Sequence, residues 1–113
     1  MKAVLLFKNR RLFKTKTGNT VVIDMDLFEL SKIEPSQKPW TNYRFSWIAF
    51  NQEDPKVRVL FDSHYPKEPH FHINNDQNGQ PFVWSSLKNA IKFFHAKVEL
   101  HFGELMEQLV NED

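Results

Sequence analysis

Apolar residues along this chain alternate first with a period of two and later fall at four-three-four spacing. That change separates a sheet-forming half from a helix. Val21, Ile23, Met25 and Leu27 alternate with Val22, Asp24 and Asp26, so an extended backbone would send one apolar row inward and two carboxylates outward. The run before it, "KAVLLFKNRRLFK", is joined to it by "TKTGN", a Thr/Gly/Asn turn signal suited to a hairpin. "SKIEPSQKPW" carries two prolines, breaks the ladder and reads as a surface loop. Beyond it Tyr43, Phe45, Trp47 and Ala49 alternate with Arg44, Ser46 and Ile48. After the polar turn "NQEDP", Val57, Val59 and Phe61 alternate with Lys56, Arg58, Leu60 and Asp62, completing a second hairpin.

A helix signal follows "NDQNGQPFVW". Ser85 and Ser86 are candidate N-caps, because a serine oxygen accepts one of the orphan amides at a helix start. Leu87, Ile91, Phe94, Val98, Phe102, Leu105 and Leu109 then form one apolar stripe, from which the charged Lys88, Lys92, Lys97, Glu99, Glu104 and Glu107 are mostly absent. Gly103 is expected to bend or interrupt this helix, at about 1 kcal/mol relative to alanine. The predicted architecture is α+β: an antiparallel sheet of at least four strands, with a long C-terminal helix packed on one face, forming a single domain over residues 1–113.

Composition adds less. The chain has 113 residues, 11 of them phenylalanine, so a core built on rings is expected. The formal net charge of +1 argues against a strongly basic nucleic-acid binder on total charge alone. Distribution is more telling, since Lys2, Lys8, Arg10, Arg11, Lys14 and Lys16 come before any acid, whereas acids gather in "DMDLFEL" and "GELMEQLVNED". These cations, interleaved with Phe7, Leu12 and Phe13, could track a phosphate backbone. The more ordinary reading is that they protect an edge strand, because alternation should divide them between two faces. The acidic tail could engage a basic partner or simply be solvated. Cysteine is absent, which removes disulfides, thiolate zinc sites and cysteine nucleophiles. "AVLLF" is much too short for a signal-peptide core or membrane span, and a cytoplasmic location is expected.

Candidate chemistry gathers in "FDSHYPKEPHFHI", where His64, His70 and His72, three of the five histidines, lie among Asp62, Lys67 and Glu68. If "HFHI" is extended, both its imidazoles leave the same face, with Phe71 on the other. Two imidazoles with His64 or Asp62 could hold a divalent metal, although no familiar spaced ligand motif is present. Without a metal, the same groups suit cleavage of RNA. Histidine can act as base toward a 2′-hydroxyl or as acid toward the leaving oxygen, with phosphate charge met by Lys67, Arg44 or Arg58. The third reading is a polar loop stiffened by Pro66 and Pro69. His95 and His101 fall in the helix and are assigned to packing or to its flank.

Taken in order, "KAVLLF", a glycine turn, "VVIDMDLFEL", "YRFSWIAF", and "VRVLFDS" leading into "KEPHFH" and an amphipathic helix resemble the TumE-like family of toxin–antitoxin proteins, over about residues 2 to 109. The resemblance rests on a strand-ending acid, a short Lys/Pro loop and a close histidine pair: Asp62, Lys67, Pro69, His70 and His72. Ser63 departs from the Asn that many members carry after the acid. Glu68-Pro69 and His70-Phe71-His72 stand where many have Gly–Asp or adjoining histidines. The resemblance implies a small cytoplasmic protein bound and neutralised by a helix-turn-helix antitoxin partner. On this reading the chain is the toxin-like component of a type II module, acting on RNA or translation by metal-independent acid–base chemistry, as a ribonuclease without cofactor. His70 and His72 would exchange protons, Lys67 would face phosphate, Asp62 would orient an imidazole, and His64 would complete the cluster. No membrane contact is expected, and a homodimer is left open. The alternative is a non-catalytic interaction domain, an antitoxin or regulatory partner, working through the sheet face or the acidic end.

Overall fold

The computed structural model describes residues 3–30, 43–63 and 69–112. Among these, the elements run β1 (Ala3–Thr15), β2 (Thr20–Leu30), β3 (Tyr43–Asn51), β4 (Arg58–Ser63), β5 (His70–Ile73), β6 (Gln80–Pro81), α1 (Leu87–Phe102) and β7 (Leu105–Glu112). They form an α+β fold in which every strand pairs antiparallel with its neighbours, in the order β6-β5-β4-β3-β2-β1-β7. The first six strands meander. The helix then carries the chain back across one face, and β7 pairs with β1 at the opposite edge. The expected loop "SKIEPSQKPW" lies outside the described residues.

Alternation decides what each face presents. Val21, Ile23, Met25 and Leu27 of β2, Phe45, Trp47 and Ala49 of β3, Val59 and Phe61 of β4, and Phe71 of β5 are all buried on the helix side. Ala90, Phe94, Val98 and Phe102 close the core from above, one helical turn apart. The core is aromatic, as the phenylalanine count predicts. The Phe45 and Trp47 rings stack with centroids 4.1 Å apart. Phe61 meets Phe71 and Phe94 at 5.2 Å each, Phe94 edge-on. Each such ring contributes roughly 1.5–3 kcal/mol through burial. Trp47 also satisfies its one polar atom, with Nε1 donating to the Asp26 carbonyl at 2.8 Å.

The helix starts where serine predicts, since Ser86 Oγ accepts the Asn89 amide at 3.1 Å. It ends at Phe102, earlier than the apolar spacing suggests. Gly103 adopts φ 95° and ψ 171°, a backbone that side-chain-bearing residues rarely take. The chain leaves the helix axis there, and residues 105–112 become β7. The helix end is fastened to the first hairpin, whose Lys16 amide donates to the Glu104 carbonyl at 2.8 Å. Leu105 and Leu109 fit a helical stripe by spacing alone, but they belong to a strand.

The basic segment also differs from expectation. β7 covers the outer edge of β1 from Arg10 to Thr15, so Arg10, Arg11 and Lys14 do not guard an open edge. Their division between faces is uneven: pairing with Asp26, Asp24 and Thr20 puts Lys8, Arg10 and Lys14 on the face away from the helix, and only Arg11, opposite Ile23, is on the helix side. Among the described residues no helix is long and apolar enough to cross a membrane.

Candidate active site on the open sheet face

The face away from the helix is organised in rows, because antiparallel register sets residues of one face directly opposite each other. One row reads Lys8, Asp26, Ser46, Asp62 and His70 across β1 to β5. The row beside it reads Arg10, Asp24, Ile48, Leu60 and His72. At the β1 end Arg10 grips Asp24 with two parallel bonds, Nε to Oδ1 at 2.7 Å and a terminal nitrogen to Oδ2 at 2.8 Å. Asp26 Oδ1 accepts the Ser46 amide at 2.8 Å. Between them is an open concavity of about 430 Å³, lined by Lys8, Asn9, Arg10, Asp24, Met25, Asp26, Ser46 and Ile48.

At the other end are the two imidazoles. "HFHI" is the strand β5, with Phe71 buried in the core and His70 and His72 half-buried on the open face, as alternation requires. Their ring centroids are 5.1 Å apart with planes at 83°. His72 Nδ1 lies 3.0 Å from the Asp76 carbonyl oxygen, which can only accept, so Nδ1 carries a hydrogen and Nε2 is left to exchange a proton with a ligand. Asp62 is the cross-strand partner of His70.

Three surrounding features complete the arrangement. The backbone of Gly79 lies so close to both rings that a Cβ there would come within 2.7 Å of His70 Cδ2 and 3.2 Å of His72 Cε1. Arg58 shares the open face of β4 with Asp62, and its Nε donates to the Asn74 carbonyl at 3.2 Å. Arg44 is diagonal to Asp62 on β3, with its guanidinium 4.5 Å from the centre of the Phe28 ring.

Of the residues singled out from sequence, Asp62, His70 and His72 therefore come together, with Arg58 and Arg44 on the same face. His64 and Lys67 lie outside the described residues. Among the described residues no three His, Cys, Asp or Glu side chains are grouped to hold a metal ion. The other two histidines are elsewhere. His95 is on the helix, where burial pulls its pKa below the ordinary 6.5, against an upward pull from Glu99, while Arg11 adds to the lowering. His101 is likewise lowered by burial, and its Nε2 donates to Asn74 Oδ1 at 2.8 Å. Sequence reading missed Lys8, Ser46, Asp26 and Gly79 as parts of one surface. Alternation did mark Asp26 as outward-facing, but only strand register shows what each stands beside.

Fold and site together define an α+β protein with one sheet face sealed by a helix and the other open, carrying cations, carboxylates and a histidine pair in cross-strand rows. No protein-family profile, curated protein or solved structure matches this chain.

Proposed function

We propose that the open sheet face binds RNA and cleaves it with His70 and His72 as the proton-transferring pair. The observation that carries this reading is the pair itself: two imidazoles on one open face, 5.1 Å apart, with Asp62 opposite the first. One histidine removes the 2′-hydroxyl proton, the 2′-oxygen attacks phosphorus, and the other protonates the departing 5′-oxygen. Asp62 is a positioning residue for His70, and Arg58, with Lys67, meets the charge that develops on phosphate. Toward β1 the same face adds the cations Lys8 and Lys14, with Asp26 opposite Lys8 and Arg10 held by Asp24. The biological reading, a toxin neutralised by a helix-turn-helix antitoxin in the cytoplasm, rests on the sequence resemblance described above.

Induced expression of the chain alone in a bacterial host tests this, run beside the His70→Ala, His72→Ala double variant at matched soluble protein. Growth arrest with fragmented RNA from the wild type only is the expected result. Arrest by both would move the chemistry elsewhere. Normal growth with both, together with no cleavage of a labelled ribo-oligonucleotide by purified protein, would favour the second reading, a non-catalytic interaction domain. The exposed apolar Val4, Leu5 and Leu6 of β1 give that reading its own support.

A further inference from the structure

We infer that the concavity on the open sheet face, between β1, β2 and β3, is a base-reading site that takes guanine from the bound RNA strand. The inference rests on the RNA-binding reading above and adds which base is held and where. The concavity, about 430 Å³, falls within the ordinary size of small-ligand sites. Its polar groups divide into those already engaged and those left over. Both Asp24 oxygens are taken by Arg10, at 2.7 and 2.8 Å, so that pair closes on itself. Asp26 Oδ1 accepts the Ser46 amide at 2.8 Å, while its Oδ2 has no partner among the described residues. The Lys8 ammonium, on the residue directly opposite Asp26, makes no ion pair or hydrogen bond among the described residues. What remains is a fixed carboxylate beside a cation, with the half-buried Ile48 side chain as apolar lining.

The carboxylate is held in place before any ligand arrives. Trp47 Nε1 donates to the Asp26 carbonyl and the Ser46 amide to its side chain, so main chain and carboxylate are both anchored to β3. Two carboxylates in the lining disfavour a phosphate there, so the concavity suits a base rather than the backbone. Guanine alone among the RNA bases presents two adjacent N–H donors, N1–H and N2–H, on its Watson–Crick edge, with the acceptor O6 beside them. A carboxylate accepts such a pair, and the ammonium donates to O6. Cross-strand neighbours have Cβ atoms about 4.5–5.5 Å apart, which lets Asp26 and Lys8 reach one base edge together. Adenine, cytosine and uracil would each set an acceptor against the carboxylate. Asp26 and His70 are three strand spacings apart, about 14 Å, so the guanine belongs to a nucleotide beyond the one whose phosphate is cleaved.

The test uses the full wild-type chain with 2′-O-methyl oligouridylates, which lack the hydroxyl that cleavage needs. Fluorescence anisotropy should show about tenfold tighter binding or more when one uridine is replaced by guanosine, and no such gain with adenosine. Inosine, which lacks the N2 amine, should lose most of the gain, whereas 7-deazaguanosine, whose Watson–Crick edge is intact, should keep it. Asp26→Asn retains an oxygen for the Ser46 amide but turns one acceptor into a donor. It should abolish the guanosine gain while binding plain oligouridylate at least as well as wild type. The inosine comparison needs no variant, so it decides the matter should Asp26→Asn misfold. Free GMP should compete only well above the concentration of the guanosine oligomer; competition on equal terms would assign the concavity to a free nucleotide and overturn its role in reading RNA. Equal binding of the guanosine, adenosine and inosine oligomers, or a guanosine gain that survives in Asp26→Asn, would overturn the guanine site and leave RNA binding standing. Binding of none of the oligomers would remove the RNA reading, and the guanine site with it.

Discussion

The closest test of the site geometry is Gly79→Ala. Gly79 is exposed and does not need a left-handed backbone, so alanine is permitted there as far as the main chain is concerned. What it meets is the histidine pair. Its Cβ would fall 2.7 Å from His70 Cδ2, where non-bonded carbons settle at about 3.5–4.0 Å. His70 therefore has to retreat by roughly 0.8 Å or more at that atom, and His72, at 3.2 Å, by less. A reacting group displaced by about 1 Å can lose on the order of 100-fold in rate. Stability should change by no more than about 1 kcal/mol, because the half-buried rings can move and glycine-to-alanine replacement restricts the unfolded chain. The assay has two arms: initial rates on a labelled ribo-oligonucleotide, and the imidazole proton resonances of His70 and His72 in the NMR spectrum. Expected are a large fall in rate, shifted His70 resonances and a melting temperature close to wild type. Unchanged resonances would refute the contact itself, whatever the enzymology shows. Shifted resonances with full activity would keep the geometry and remove His70 from catalysis.

Two further outcomes are expected. Gly103→Ala should lower stability by about 1–3 kcal/mol in urea titration, because φ 95° with ψ 171° is strained for any side chain; the nearest contact of the new Cβ, Thr17 at 3.6 Å, is ordinary. A loss below about 0.5 kcal/mol would mean that the helix end relaxes freely. The lowered pKa values of His95 and His101 mean that the folded protein favours their neutral forms. Their penalty is fully present below the folded pKa and disappears as pH rises through the unfolded value of 6.5. Melting temperature should therefore fall more steeply on acidification below 6.5 in the wild type than in the His95→Gln, His101→Gln variant. Parallel curves would show that these groups do not carry the acid limb.

How far the fold could be read in advance depended on whether local pattern and tertiary context agreed. In β2 and β3 they do. The inward rows of Val21, Ile23, Met25, Leu27 and of Phe45, Trp47, Ala49 are the buried rows. "HFHI" is the same case, short but unambiguous once extended. Agreement ends at residue 103. Leu105 and Leu109 are four apart and so continue a helical stripe, but that spacing is even and suits a strand as well. The backbone of one glycine selects the strand, and a strand there needs an open edge on β1, ninety residues earlier in the chain. The site was legible to the same extent: Asp62, His70 and His72 share a face through alternation and one hairpin register. Lys8, Asp26 and Ser46 join them only through three successive registers, each carrying the row one strand further.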